Sequence, residues 1–360
     1  MSVPLFARDP SNFRPSPSEF QCGERLEEGG GDVGIGGVVF FCTLPRSNED
    51  NNSSDDDENE NENEISDNQL IFSCRDRSCG VLEKQESAVT NEQFEATQNS
   101  TAVDPFFFDT GYTLAGRTGF QVWSGTRLLI ESLLFPLPDD NNRLITIRKS
   151  LSTKTILELG AGVGVVGTAL AASGCQVLLT DLPTLAEHSL LPNLICNRKI
   201  EGEIRSSTKE PPTWLRNASH ELDFEEMEDD DDVVFPIGNM GGWASIATVD
   251  WTEPLNEQVS SISSLDWIIA SDCVWLVSML ESLLNTVDSL FRNNENARLL
   301  LSFQRRDSTD STRFSSVSSI VNSVQEREWS LDCLAWNFVR QEGDNEPKEV
   351  FVFEIAPLKR

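Results

Sequence analysis

One ten-residue stretch concentrates the chemistry of this chain: Glu158-Leu-Gly-Ala-Gly-Val-Gly-Val-Val-Gly167. Gly160, Gly162 and Gly164 allow a sharp turn and a close approach of backbone to a ligand, and Gly167 lets a following helix lie near the preceding strand. A strand-like run precedes the stretch and a small-residue helical run follows it, which is the setting of a cofactor turn. Read from Gly162, the spacing GxGxxG also fits a dinucleotide fingerprint, so the turn does not choose between a nicotinamide dinucleotide and S-adenosylmethionine. Glu158 tips the choice. A carboxylate at that strand end repels a pyrophosphate and suits the cationic methionine end of S-adenosylmethionine. Asp181 ends the next strand-like run, 21 residues beyond Gly160. There it can accept both ribose hydroxyls of either cofactor, and it can also cap the helix that follows.

Other chemistry is thin. Eight cysteines are scattered without CxxC pairs, and the two histidines, His188 and His220, accompany no nucleophile, so neither a metal centre nor a Ser-His-Asp or Cys-His device is expected. Cys273 reads as a small hydrophobe. Gln304-Arg305-Arg306 follows a strand-like run at the edge where ligands gather, and its two cations meet either an acidic substrate or a neighbouring carboxylate.

The elements that position these residues come from the apolar periodicity. Helical spacing runs from Val122 to Phe135 and stops at Pro136 and Pro138. KTILELG and CQVLLTD are strands around the small-residue helix GVGVVGTALAASG, and LPTLAEHSLLPNLICNR is a helix bent at Pro192. SIATVDW, LDWIIASD and ARLLLSF are further strands, with VSMLESLLNTVDSLF an amphipathic helix between the last two. A helix near Arg313–Gln325 and two antiparallel strands, WSLDCLAWNFV and EVFVFEI, close the chain. The alternation predicts an α/β fold with a mostly parallel sheet covered on both faces.

Composition adds bounds. The chain has 360 residues with 28 Lys+Arg against 59 Asp+Glu, a formal charge of −31, which argues against nucleic acid and anionic membrane as partners. Two tracts, Glu49–Glu64 and Asp223–Asp232, hold seventeen of the acids, and without them the charge is −14. Such tracts stay solvated. Residues 1–103 read as a largely disordered or irregular extension in which only VVFFCTL and QLIFSC look like strands, paired as a hairpin or docked on the main domain. Residues 104–360 read as the folded domain, with an acidic insertion at about 201–244. The N-terminus lacks an apolar core of the secretory type and no run approaches membrane-spanning length, so an intracellular, reduced protein of the cytoplasm, with the nucleus open, is expected. A monomer is the default expectation, read from no particular residue.

With these residues in view, the chain resembles the class I, seven-β-strand S-adenosylmethionine-dependent methyltransferases. More narrowly it resembles the Methyltransferase-16 type of methyltransferase-like protein lysine methyltransferases. The blocks that carry the resemblance are GFQVW (Gly119–Trp123), ILELGAGVGVVG (Ile156–Gly167), VLLTDLP (Val177–Pro183) with NLICN (Asn193–Asn197), VDW (Val249–Trp251) and IIASDCVW (Ile268–Trp275). The resemblance implies a Rossmann-like seven-stranded sheet with an antiparallel C-terminal strand, S-adenosylmethionine as cofactor, and methyl transfer to a lysine of a non-histone protein, itself basic if the acidic tracts recruit it. It places Trp123, Gly160, Ala161, Gly162, Asp181, Trp251 and Ser271 at the cofactor. The family's Asp-x-x-Tyr motif reads Asp272-Cys273-Val274-Trp275 here. Asp272 is expected to orient the target amine or to take its proton through water, and Trp275 to hold the amine's cationic form against an aromatic face. Trp in place of Tyr removes a phenolic oxygen, which keeps a small-molecule or other N-methyltransferase in view as an alternative, beside a cofactor-binding fold that acts as an interaction module through its acidic arms.

Overall fold

In chains where short apolar strands alternate with helices, each strand buries both faces only if helices cover both sides of the sheet, and the computed structural model has that architecture. It describes residues 22–26, 37–45, 69–75, 118–135, 141–199, 210–219, 233–306, 314–339 and 347–358. Both acidic tracts lie outside the described residues.

Three strands come first, β1 (Cys22–Leu26), β2 (Gly37–Thr43) and β3 (Gln69–Arg75), in an antiparallel sheet of that order. The main sheet has eight strands: β4 (Thr155–Leu159), β5 (Gln176–Asp181), β6 (Val234–Ile237), β7 (Gly242–Thr248), β8 (Trp267–Ser271), β9 (Arg298–Gln304), β10 (Trp329–Val339) and β11 (Lys348–Pro357). Their order is β10-β11-β9-β8-β4-β5-β7-β6. The five central strands are parallel, whereas β11 runs antiparallel to β9 and β6 antiparallel to β7. The chain winds outward from β4 through β5 to β7, then returns to β8, so the order reverses between β4 and β8. Open parallel sheets bind their ligands at the carboxyl ends beside such a reversal.

Helices α1 (Ser124–Leu134), α2 (Asn142–Lys149) and α3 (Val165–Ala172) cover one face, together with α4 (Pro183–Leu185) and α5 (Leu191–Asn197). Helices α6 (Thr213–Ala218), α7 (Glu257–Ser260), α8 (Val277–Asn293) and α9 (Val317–Glu326) cover the other. A π-helical turn, Ala186–Leu190, joins α4 to α5 through a bond from the Leu191 amide to the Ala186 carbonyl. The predicted bend at Pro192 takes this form. Proline donates no amide and its ring crowds the carbonyl four residues back, and a wider turn accommodates both. No helix among the described residues is long and apolar enough to cross a membrane.

Two expectations about boundaries change. The N-terminal extension contributes three strands to the fold, and the two predicted ones both pair with each other and dock on the domain, burying Leu70, Phe72 and Cys74 in the core under α5. The interval read as an insertion contains α6 and β6 and the start of β7, making the main sheet eight-stranded rather than seven-stranded. The short run VFPI escaped notice because four residues carry little periodicity, and Pro236 argues against an inner strand. It is an edge strand, where a missing amide is tolerated.

Candidate active site

Alternation along β4 decides where its acid points. Leu157 and Leu159 face the α8 side of the sheet, so Ile156 and Glu158 face the α3 side. There the Glu158 carboxylate accepts the Gly167 amide at 2.8 Å, in the first turn of α3. A helix start favours an anion, and Gly167 is required because a Cβ would lie 2.5 Å from that carboxylate oxygen. Between them the chain turns through Gly160, Gly162 and Gly164, all at positive φ. The Ala161 amide bonds the Thr180 carbonyl, and the Gly162 amide donates to Asp181 Oδ2 at 2.7 Å. Asp181 Oδ1 accepts from Leu182 at 2.8 Å. Asp181 thus pins the glycine turn to the end of β5, whereas the cap position of the next helix falls on Leu182, so the capping role expected of Asp181 is not taken up.

Both acids are buried, and among the described residues no cation is paired with either. Burial pushes Glu158 up to about 8, opposed by the Gly167 amide and assisted by the charge of Asp181. Burial likewise pushes Asp181 up to about 6, against the two amides that favour its charged form. Two carboxyls held above their ordinary range beside an open cavity favour a ligand that brings positive charge or hydroxyl donors.

The β8 side is arranged differently. Asp272 follows β8 at φ 51°, a conformation uncommon for aspartate. Its Oδ2 accepts the Gly125 amide at 3.1 Å, at the start of α1. Its Oδ1 accepts the Gln304 amide at 3.0 Å and meets the Arg306 guanidinium at 3.4 Å. Gly125 allows this closeness, since a Cβ there would stand 2.6 Å from Asp272. Arg306, its side chain buried, also lies over the Trp123 ring at 5.4 Å from the centroid. The basic pair therefore divides. Arg306 supports Asp272 and Trp123 from behind, whereas Arg305 pairs with Glu349 at 2.8 Å. Of the two readings of that pair, a neighbouring carboxylate is the one the geometry supports. Asp272, with both oxygens engaged, holds α1, β8 and β9 together, and this structural duty accompanies its place in the cavity wall.

The glycine turn, the acids Glu158, Asp181 and Asp272, and Trp123 border one cavity of about 590 Å³ at the carboxyl ends of the central strands. Its wall contains Trp123, Glu158, Gly160, Ala161, Gly162, Asp181, Trp251, Ser271, Asp272 and Trp275, the residues expected at the cofactor and the target amine, whereas Gln304, Arg305 and Arg306 stay outside it. Trp251 lies against the turn, close enough that a Cβ on Gly160 would be 2.8 Å from its ring. Among the described residues that line the cavity, five are carboxylates (Glu158, Asp181, Asp250, Glu253 and Asp272) and none is Lys, Arg or His. A pyrophosphate finds no counter-charge in such a wall, whereas a sulfonium and an ammonium do. No group of three or more His, Cys, Asp and Glu among the described residues is placed to hold a metal.

A family model described as lysine methyltransferase matches residues 112–228 and 237–320, more than half of the chain. The chain belongs to this Methyltransferase-16 family. It is thus an S-adenosylmethionine-dependent methyltransferase, and the glycine turn, Asp181 at the end of β5 and the cation-favouring wall fit that cofactor. Similar solved structures include magnesium protoporphyrin IX methyltransferase from Synechocystis PCC 6803 with bound SAH, at 10% identity over 77% of this chain and 98% of that one, TM-score 0.36. Another is a SAM-dependent methyltransferase from Methanosarcina mazei, at 14% identity over 58% and 94%, TM-score 0.35. A third is the glycopeptide N-methyltransferase MtfA complexed with sinefungin, at 13% identity over 60% and 85%, TM-score 0.32. No curated protein sequence matches significantly.

Within this methyltransferase-16 frame, the mouth of the cavity carries the departure from the family motif. Trp275 is half-buried, 6.2 Å from the Phe314 ring, and Leu276, Ser278, Met279 and Ser282 continue the wall along α8. Cys273 is in the wall with its thiol pushed up by burial first and by nearby carboxylates second, so it is no nucleophile. Sequence reasoning missed Thr126, whose hydroxyl meets that of Ser271 at 3.0 Å. It also missed the acids Asp250 and Glu253. Asp250 sat in plain view in the VDW block, and its signal was an acid between two cavity-facing apolar residues at a strand's carboxyl end.

Proposed function

We propose that the protein methylates the side-chain amine of a lysine on a basic, non-histone protein. The observation that carries this reading is the cavity wall, five carboxylates and three tryptophans with no basic residue among its described lining. Such a wall attracts a cationic chain and repels an acidic metabolite. The glycine turn with Glu158, Asp181, Trp123, Trp251 and Ser271 would hold the cofactor, which when bound supplies a methyl group on a positively charged sulfur. The work left to the protein is alignment and desolvation. Trp275 in the wall would offer the incoming lysine an aromatic face, and desolvation in the cavity would shift the amine toward the neutral form that can act as nucleophile. Asp272 is a positioning residue that fixes the start of α1, and with it Trp123, against the ends of β8 and β9.

The test is transfer from labelled S-adenosylmethionine by the purified protein, with the cell's proteins and its protein-free metabolites offered separately. Label on lysine in the protein fraction supports the reading. Label confined to metabolites replaces it with the small-molecule alternative, which the Trp275 departure favours. Removal of Glu49–Glu64 and Asp223–Asp232 should raise the KM for a basic protein at low salt if the tracts recruit it.

A further inference from the structure

Among the described residues no strand lies beside the outer edge of β3, yet the peptide groups of Ile71 and Ser73 on that edge are satisfied. Asn197 accepts the Ile71 amide at 2.8 Å and donates to the Ile71 carbonyl at 2.6 Å. Asn193, one turn earlier, accepts the Ser73 amide at 2.8 Å and donates to the Ser73 carbonyl at 3.2 Å. Two carboxamides on a helix thereby replace the ladder of a missing strand. The match is geometric. Four residues of helix rise about 6 Å and two residues of strand about 6.7 Å, so side chains at i and i+4 meet alternate, outward-facing peptide groups of the edge.

Asn193 does one thing more. Its Nδ2 lies 3.1 Å from the carbonyl of Val163, in the glycine turn between Gly162 and Gly164. Asn193 is buried, and Val163 is one of the residues that line the cavity. The neighbouring peptide groups are held by β5 and by the turn itself: Ala161 by Thr180, Gly162 by Asp181, and Gly164 by the Ala161 carbonyl at 2.8 Å. The Val163 carbonyl is the point at which the turn is tied to the N-terminal sheet.

We propose that Asn193 is a positioning residue for the cofactor turn, and that docking of the β1–β3 sheet and binding of S-adenosylmethionine are thereby coupled. The inference rests on the turn's being the cofactor site. An asparagine inside a helix competes for local backbone bonds and lowers helix propensity, so the pair has to be stabilised by partners elsewhere, and here those partners are β3 and the turn. Coupling of this kind is reciprocal: what orders the turn also orders the sheet edge.

The test uses the full-length protein and S-adenosylhomocysteine. In the unaltered protein, saturating ligand should slow hydrogen exchange at the amides of Ile71 and Ser73, which donate to the two asparagines and not to the ligand. Asn193→Ala should weaken affinity about tenfold and abolish that protection. Asn197→Ala, which breaks the ladder but not the Val163 bond, should weaken affinity about threefold or less. Unchanged exchange at Ile71 and Ser73 in the unaltered protein overturns the coupling, and no folded variant is needed to see it. Affinity of Asn193→Ala within twofold of the parent overturns the positioning role. A parent that fails to bind S-adenosylhomocysteine at all indicts the cofactor assignment instead.

Discussion

Asp181 and Asp272 occupy equivalent places at the carboxyl ends of β5 and β8, and both accept two backbone amides. They differ in what completes them. Asp272 has the Arg306 guanidinium behind it and ties three distant segments together, whereas Asp181 has no cation among the described residues and is held above its ordinary pKa by burial. The β8 half of the site is electrostatically complete by itself, and the β4–β5 half is completed by its ligand. The same residue type at the same kind of position is a brace in one case and a receptor in the other. The neighbouring charge decides which.

The largest effect should come from removing the brace. Asp272→Ala leaves Arg306 buried without its partner and frees two amides, and about 3–5 kcal/mol of stability should be lost in chemical denaturation. A loss below about 1 kcal/mol would mean that Asp272 braces nothing. Asp181→Asn should show the opposite balance. Affinity for S-adenosylhomocysteine by calorimetry should fall roughly ten- to a hundredfold, with the ligand-free melting temperature moving by less than about 4 °C. A large drop in melting temperature with affinity preserved would make Asp181 a second brace.

pH sharpens the contrast further. Glu158 and Asp181 bind protons more tightly in the folded chain than in the unfolded one, so ligand-free stability should decline as pH rises from about 4.5 toward about 8, the window between the ordinary and raised values of Glu158. Affinity for the sulfonium cofactor should climb over the upper part of that window, about tenfold between pH 6 and pH 8, as the acids ionise. A flat profile would show that neither acid faces the ligand's charge. The smallest expected effect is at the mouth: Trp275→Tyr should leave S-adenosylhomocysteine affinity within about twofold while changing the KM of the methyl acceptor, measured by initial rates. An equal change in both would place Trp275 at the cofactor.

How much of this was legible follows from separation along the chain. The glycine turn, Glu158 and Asp181 lie within one strand-turn-helix-strand unit, where period and spacing imply geometry. Their meeting was readable, although the capping of α3 by Glu158 was not. Trp123, Trp251, Ser271 and Trp275 entered through resemblance to a family, since nothing local says that they share a wall. The Arg306–Asp272–Trp123 stack joins residues up to 183 positions apart, and the basic pair alone left two readings open. β6 and β1 were too short for periodicity to reveal. The asparagine pair was visible as a spacing of four, but its partner edge lies 120 or more residues away.

By itself, then, the chain's order of apolar runs determined a parallel α/β sheet, because strand and helix periods are local properties that burial enforces. Its glycines and strand-end acids likewise determined that a cofactor turn exists and that it favours positive charge. Only the tertiary structure decided which acid is a brace and which a receptor, because that depends on where Arg306 lands. It also decided that the N-terminal sheet touches the cofactor turn, because a hydrogen-bonded edge is satisfied by whatever packing brings near, and Asn193 reaches both only once β3 lies against α5.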